Sequence, residues 1–449
     1  MRHPSKIYME TFGCQMNKLD SELLLDRMIS KGYEITEDST EAGVIVFNTC
    51  SVREHAEDRV YSYLGRLKKE KEKNPHLVIA VIGCMAQLHQ NRIHKKMPHV
   101  DIVLGTSQFL ELPRLVEEAR GNREFFGEYG LAEVTPPKRG GYLSSKHSAF
   151  LSVIRGCDMP CTFCVVPKTR GPMVSKPLDL VIDEAKSLVD KGVVEITLLG
   201  QTVDGYGKDT HRKLLLPQLL EELNKIEGLR RIRYITSHPS FITRELVEAT
   251  VYLEKVCEYL HMPAQSGSDR MLKKMKRGYN RRIYLEKIGM IREIMEEMPI
   301  ASDFIVGFPG EDERDFQDSV SLIEEARFQN SFIFKYSPRP YTAASEMEDK
   351  ISEEIKKKRN HRLLEVQGRV SQEWKNNFLG RQVEILVDGP SKKDPNMISG
   401  RTRGNDIVVF PKPEKDCPKA GDFVEVKLEK ANSFTFYGSL VFSAEKYTF

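Results

Sequence analysis

The pattern of apolar and polar positions divides the chain into three stretches of different character. In the first, the apolar runs "KIYMETFGC", "GVIVFNTC" and "LVIAVIGC" are separated by segments of helical period, "NKLDSELLLDRMISKG" and a charged run near residues 54–73. Short apolar runs joined by amphipathic segments predict an open parallel sheet with helices on its faces. Each run ends in a cysteine, Cys14, Cys50 or Cys84. Ligands collect at the carboxyl ends of strands in such sheets, so these three thiols can converge although they lie far apart in sequence. Three ordinary buried cysteines explain the same pattern, because the thiol packs well in a core.

Residues 127–147 are rich in Gly, Pro and Ser without either period, which predicts a linker. A second α/β stretch follows, with candidate strands "FLSVIRG", "VVEITLLG", "RRIRYITS", "EYLHMPAQ", "IASDFIVGF" and "NSFIFKYS" alternating with helices such as "PLDLVIDEAKSLVDKG". Repeated βα units predict a full or partial barrel of parallel strands with its chemistry at the C-terminal mouth. After the charged helical run "SEEIKKKRNHRLLEVQGRVSQEWKNNF", the strands "RQVEILVDG", "DIVVFP", "DFVEVKLEKA" and "FTFYGSLVF" lie between turn residues, and Val424, Val426 and Leu428 alternate with charges. This tail reads as a small all-β barrel.

Composition narrows the function classes. A chain of 449 residues is long enough for two to four domains, and 68 basic against 65 acidic residues leave a nucleic-acid partner to be held by local patches. No apolar run approaches the roughly 18 residues of a membrane span, and the N-terminal residues do not resemble a signal peptide. A soluble cytoplasmic protein with no membrane partner is expected. Eight cysteines are too sparse for a disulfide scaffold, so clustered ones read as metal ligands or catalysts.

The densest cluster is "IRGCDMPCTFCVVP", with Cys157, Cys161 and Cys164 directly after a predicted strand. One loop of that spacing wraps three thiolates around one centre and leaves the fourth ligand to come from elsewhere. A structural zinc site needs a closed tetrahedral shell, which a distant residue such as His147 is able to complete. An iron–sulfur cluster held by three cysteines keeps one iron open to a substrate or cofactor. Spacing alone leaves both readings standing.

The C-x3-C-x2-C loop, with the aromatic Phe163 before its last cysteine, resembles that of the radical S-adenosylmethionine enzymes. In those, the open iron is chelated by the amino and carboxyl groups of S-adenosylmethionine, and one electron cleaves the sulfonium to give a carbon radical. The further segments "FGCQMN", "NTCSVREHA", "GCMAQ", "TSHP", "MKRGY", "DFIVGFPGE" and "YSPRP" resemble the methylthiotransferase branch, in particular the bacterial enzymes that act on N6-dimethylallyladenosine in tRNA. The tail resembles a TRAM domain.

The resemblance implies an N-terminal methylthiotransferase domain over 4–121, a linker over 122–142, a radical S-adenosylmethionine domain over 143–374 and a TRAM domain over 377–445. It implies two 4Fe-4S clusters, a radical-generating one on Cys157, Cys161 and Cys164 and a sulfur-carrying auxiliary one on Cys14, Cys50 and Cys84. S-adenosyl-L-methionine is implied twice per turnover, as methyl donor and as radical source. The implied partners are tRNA bearing dimethylallyladenosine, an external low-potential electron donor of the flavodoxin kind, and a sulfur source or cluster-assembly proteins; the chain is expected to be a monomer. Nearby alternatives are methylthiolation of threonylcarbamoyladenosine in tRNA or of a ribosomal-protein aspartate. A non-catalytic, zinc-containing RNA-binding protein is the alternative from a different class.

Other residues carry less specific expectations. Gly200 and Gln201 end the second barrel strand, where they suit the aminoacyl end of S-adenosylmethionine; a plain turn explains the glycine equally well. Ser237, Gln265 and Ser266 at strand ends suit ribose, with helix capping as the other account of the serines. Gly307 and Pro309, in "VGFPG", resemble the segment that packs on adenine, or mark a turn. Lys276, Arg277, Tyr279, Arg281 and Arg282 combine cations with an aromatic, suited to RNA phosphates and bases or to a solvated helix face. Phe434, Phe436 and Tyr437 in the tail suit base stacking or a core. His89, His94 and His99 are expected in solvent, and Cys257 and Cys417 in structural roles. The chain departs from the family pattern in "GQTVDGYG", "HMPAQSGS" and "RPYTAA", which flank the expected pocket.

Overall fold

The computed structural model describes residues 3–51, 54–122, 124–131, 136–348 and 351–441. Outside the described residues lie Val52 and Arg53 of the "NTCSVREHA" segment, residues 132–135 of the expected linker, and the expected last residues of the tail domain, 442–445.

The first unit is a six-stranded parallel sheet of β1 (His3–Thr11), β2 (Glu34–Ile35), β3 (Ala42–Thr49), β4 (Val78–Gly83), β5 (Ile102–Leu104) and β6 (Phe126–Glu128), in the order β2-β1-β3-β4-β5-β6. Every residue of β3 and β4 is buried. Their apolar runs are continuous because helices cover both faces of a parallel sheet. One cover is the helix Gln15–Ser30, which buries Leu19, Leu23, Leu24 and Met28. β2, β5 and β6 are two or three residues long, too short to show a period, and they escape sequence reading. β6 also corrects the expected linker, since it takes Phe126–Glu128 into the first sheet.

Residues 139, 141 and 142 of that segment are tied down. Arg139 pairs with buried Glu22, and Asp26 accepts the backbone N–H groups of Gly141 and Tyr142 at 2.5 and 2.7 Å.

The second unit holds β7 (Ser148–Ser152), the antiparallel pair β8 (Ile154–Arg155) and β9 (Val174–Ser175), then β10 (Glu195–Leu199), β11 (Arg231–Ile235), β12 (Leu260–His261), β13 (Ile300–Val306) and β14 (Asn330–Lys335). Its parallel strands form two three-stranded sheets, β11-β10-β7 and β12-β13-β14; between them, Ile232 of β11 makes an isolated parallel bridge to Val256, and the Ser237 N–H donates to the His261 carbonyl of β12 at 2.9 Å. The barrel is therefore partial, with β7 and β14 at its two edges. A shared core of Leu, Ile, Val and Phe between strands and helices supports it, with Leu198, Ile232, Phe304 and Phe328 fully buried.

The helix Glu353–Asn376 leads to a closed five-stranded barrel of β15 (Gln382–Pro390), β16 (Met397–Thr402), β17 (Ile407–Pro411), β18 (Phe423–Ala431) and β19 (Thr435–Leu440). β16 is unmarked in the sequence because Gly400 and polar residues interrupt its apolar pattern; a Cβ on Gly400 would stand 2.5 Å from the Leu386 carbonyl oxygen. The turn after β16 closes the floor of the partial barrel. Buried Arg233 donates to the carbonyls of Arg403 and Thr402, each at 2.7 Å, and pairs with Glu195 at 2.8 Å.

Candidate functional site

Each sulfur of the Cys157–Cys164 loop meets a hydrogen-bonding group. The Cys157 sulfur lies 3.3 Å from Thr202 Oγ1 and accepts the Met159 N–H at 3.5 Å; Cys164 accepts the Val166 N–H at 3.5 Å; and Cys161 accepts Arg277 Nη1 at 3.1 Å. Gly156 makes the loop possible: its φ is +74°, and a Cβ there would stand 1.9 Å from the Pro172 carbonyl oxygen. The loop is tied to the far side of the barrel through Thr162, which donates to the carbonyls of Met275 and Lys274 and accepts from Ala344. Burial pushes the Cys157 thiol up and the Cys164 thiol up to about 12. Buried thiols of that kind ionise when a metal centre supplies the opposing charge.

The loop opens onto a cavity lined by all three cysteines and by Phe163, Gln201, Thr202, Thr236, Ser237, His238, Pro263, Gln265, Arg277 and Asp303, among others. Three buried polar atoms facing it, Gln201 Oε1, Ser237 Oγ and His238 Nε2, have no protein partner. Buried polar groups left in that state call for a polar ligand. Thiols on one side and orphaned amide, hydroxyl and imidazole atoms on the other suit an iron–sulfur cluster with an amino-acid cofactor beside it. Among the described residues, no three His, Cys, Asp or Glu are gathered closely enough to hold one metal ion. A cubane distributes its thiolates over separate irons and accepts wider spacing.

The sequence-derived pocket residues divide. Phe163, Gln201, Ser237 and Gln265 line the cavity; Gly200, Ser266, Gly307 and Pro309 do not. Gly200 is small because a Cβ would stand 2.1 Å from Ile154 Cγ2. The Ser266 hydroxyl is buried 3.4 Å from Ser319 Oγ and accepts the Ser268 N–H. Gly307 donates its N–H to Glu311 and leaves no room for a Cβ beside Lys356. Thr202, Thr236, His238, Pro263 and Asp303 also line the cavity; the sequence marks them only as members of the longer segments "GQTVDGYG", "TSHP", "HMPAQSGS" and "DFIVGFPGE", without a role for each.

The expected RNA-contacting run is corrected. Arg277 and Tyr279 are buried, with Arg277 bonded to Cys161, to the Tyr279 hydroxyl and to the Pro263 carbonyl, and Tyr279 to the carbonyls of Pro263 and Ala264. They brace the cysteine loop and offer no surface to RNA. Arg281 is engaged by the Asp318 carbonyl and Glu325; Lys276 and Arg282 are exposed. The three histidines are also not simply solvated: His89 pairs with Glu57, His94 bonds the Val100 carbonyl and stacks on Phe125, and His99 bonds the Leu64 carbonyl.

The second triad sits at the carboxyl edge of the first sheet. Cys50 follows β3, Cys84 opens the helix Cys84–His89 after β4, and Cys14 caps the helix Gln15–Ser30. Gly13, at φ +108°, lets Cys50 close in, since a Cβ there would stand 2.9 Å from the Cys50 sulfur. The second unit reaches this triad through buried Arg170, just beyond the Cys164 loop. Its Nη2 donates to Asn17 Oδ1 and Asp20 Oδ2, both at 2.8 Å, and its Nη1 has no oxygen or nitrogen acceptor. Burial pushes the Cys84 thiol up, and Arg170 beside it pulls the other way. A guanidinium beside thiols at a strand-end edge suits a sulfur-rich anionic group such as a second cluster.

Three family models match the chain: the uncharacterized protein family UPF0004 over residues 6–105, the radical SAM superfamily over 151–323, and the TRAM domain over 377–441. The chain is 44% identical over 438 residues to a tRNA-2-methylthio-N(6)-dimethylallyladenosine synthase of Moorella thermoacetica, covering 96% of this chain and 97% of that one. It is 41% identical to the synthase of the same description from Methylacidiphilum infernorum, covering 97% and 95%. Among solved structures, the radical S-adenosylmethionine methyltransferase TsrM from Kitasatospora setae, with cobalamin and a 4Fe-4S cluster bound, shares the fold at a TM-score of 0.53, with 13% identity over 77% of each chain.

Proposed function

This chain belongs to the radical S-adenosylmethionine methylthiotransferases of the tRNA-2-methylthio-N(6)-dimethylallyladenosine synthase family, and from that premise we infer that it replaces the C2 hydrogen of N6-dimethylallyladenosine, 3′ to the tRNA anticodon, with a methylthio group. The observation that carries this reading is the pairing of two cysteine triads, each at a strand-end edge of its own α/β unit, with Arg170 reaching from one unit to the other.

Cys157, Cys161 and Cys164 hold one 4Fe-4S cluster, and Cys14, Cys50 and Cys84 hold a second. Bound there, the clusters and S-adenosyl-L-methionine supply low-potential electron transfer, methyl transfer to sulfur and radical removal of hydrogen from carbon. Two molecules of S-adenosyl-L-methionine serve each turnover. Gln201, Ser237 and Gln265 orient the cofactor, the orphaned oxygens of the first two acting as its acceptors, and His238 offers an imidazole nitrogen. Phe163 shields the loop from water. Arg277 holds Cys161 in place by a charge-assisted hydrogen bond.

The remaining residues of "MKRGYNRR" that face solvent, Lys276 and Arg282, are placed to meet RNA phosphates. No helix among the described residues is long and apolar enough to cross a membrane, in keeping with a cytoplasmic tRNA enzyme. A flavodoxin-like donor and a sulfur source complete the system.

The test is nucleoside mass spectrometry of tRNA from a strain lacking this protein, with complementation. Loss of 2-methylthio-N6-dimethylallyladenosine, build-up of its unthiolated precursor and rescue by the wild-type chain are expected. An unchanged profile sends the assignment to another substrate.

A further inference from the structure

The partial barrel carries an apolar face beside the cofactor cavity. Across β13 and β14, Asp303 is in register with Phe332 and Ile305 with Phe334. Partners across a parallel ladder project from the same face of the sheet. Asp303 lines the cavity, so Phe332 stands on the cavity side, and Phe334, two residues on, follows it. The pair between them, Phe304 and Ile333, is turned into the hydrophobic core.

β14 is an edge strand, and Phe332 and Phe334 are 46% and 39% exposed. A large exposed aromatic beside a cavity, such as Phe332, suits an apolar ligand. His261 joins them to the cavity: its Nε2 lies 3.0 Å from Asp303 Oδ1, its Nδ1 3.3 Å from Thr236 Oγ1, and its ring meets Phe332 edge-on at 6.0 Å.

We propose that Phe332 and Phe334 form the wall that receives the substrate adenine together with its apolar N6 branch, with the Asp303 carboxylate accepting the remaining N6–H. This rests on the substrate assigned above and adds the residues that select it. An N6-alkylated adenine presents a flat aromatic face, one N–H and a branched hydrocarbon chain. Phenyl rings take the first and third, and a carboxylate with lone pairs beyond the one His261 engages takes the second. Unmodified adenosine would leave the rings partly in water, which makes this wall a device for preferring the prenylated base.

The test uses the full-length, cluster-reconstituted protein and two synthetic anticodon stem-loops differing only in N6-dimethylallyladenosine against adenosine. Binding is read by fluorescence anisotropy and methylthiolation by mass spectrometry, for wild type, Phe332→Ala, Phe334→Ala and Phe332→Leu. Wild type is expected to bind the prenylated loop about tenfold more tightly, in line with the value of a few methylene groups in an apolar site. Both alanine variants should weaken binding of both loops, the prenylated one more strongly, and so bring that ratio toward one, and Phe332→Leu should retain most of the preference. Thermal melts verify that the variants fold. An unchanged ratio in both alanine variants, or a wild type indifferent to the prenyl group, overturns the proposal. A wild type that prefers the prenylated loop but never methylthiolates it overturns the assigned reaction and leaves the wall standing.

Discussion

Arg277 and Cys161, 116 residues apart, meet through a guanidinium N–H that points at the thiol sulfur from 3.1 Å. Because Arg277 is also fastened to Tyr279 and to the Pro263 carbonyl, it cannot follow a moving loop. Hydrogen bonds to the cysteine sulfurs raise a cluster's reduction potential, since reduction adds negative charge next to the donor. Arg277→Gln is therefore expected to shift the proposed radical-generating cluster to a more negative potential and to make it about tenfold or more harder for a given external donor to reduce, the scale of one charged hydrogen bond. Electron paramagnetic resonance during a redox titration reads the shift; an unmoved midpoint would show that Arg277 only packs.

The two triads should be separable by iron content. Cys50→Ala and Cys161→Ala are each expected to lose about half of the iron and acid-labile sulfide of the reconstituted protein, one cluster of two. Neither variant should methylthiolate tRNA. A Cys50→Ala protein with full iron content and activity would remove the first unit's triad from the mechanism.

His238 gives a pH signature in the apo protein. Burial pulls its imidazole down to about 3 from an ordinary 6.5. Between those values the unfolded chain takes up a proton that the folded chain refuses, so stability rises with pH across the window and is fully present above about 6.5. The slope from this group is at most about 1.4 kcal/mol per pH unit. Urea unfolding at pH 4.5 to 6.5 should show that component in wild type and not in His238→Gln; equal slopes in the two would count against it.

The barrel floor depends on Arg233. Removing its side chain strands Glu195, whose side chain is 10% exposed, without its cation, and takes a donor from the Arg403 and Thr402 carbonyls of the β16 turn, of which Thr402 keeps the Asn405 N–H at 3.1 Å. Arg233→Ala should cost about 3–5 kcal/mol, the range for breaking a buried pair by deleting one partner. Denaturant unfolding measures the loss, and limited proteolysis should release the C-terminal barrel earlier than in wild type. A cost below about 1 kcal/mol, the range of exposed pairs, would mean that the floor contact is dispensable.

The parts of the site that could be read in advance are those where one residue type has one main use. Clustered cysteines stand out in a sequence because reduced thiols in such patterns are typical metal ligands, and Gln201 and Ser237 because they end strands; of these, Cys157, Cys161, Cys164, Gln201 and Ser237 line the cavity. Arg277 and Tyr279 were misread for the same reason that they are interesting. A cation and an aromatic two residues apart look like a nucleic-acid surface until a positive φ at Lys276 and the turn at Gly278 carry them inward. Ser266 and Gly307 sit at strand ends as the cavity residues do, and only packing against Ser319 and Lys356 excludes them.

By itself the amino-acid order determined the strands with long apolar runs, the alternation that makes two α/β units and a β tail, and the loop that brings three thiols to one cavity. These depend on local period and spacing, which short-range sterics and burial enforce. Tertiary structure alone decided which strand-end residues face the cavity, how Arg170 and Arg277 reach cysteines far from them in sequence, and how Phe332 and Phe334 come to stand beside Asp303. Those relations arise from parallel register and from packing between distant segments, and no local pattern encodes them.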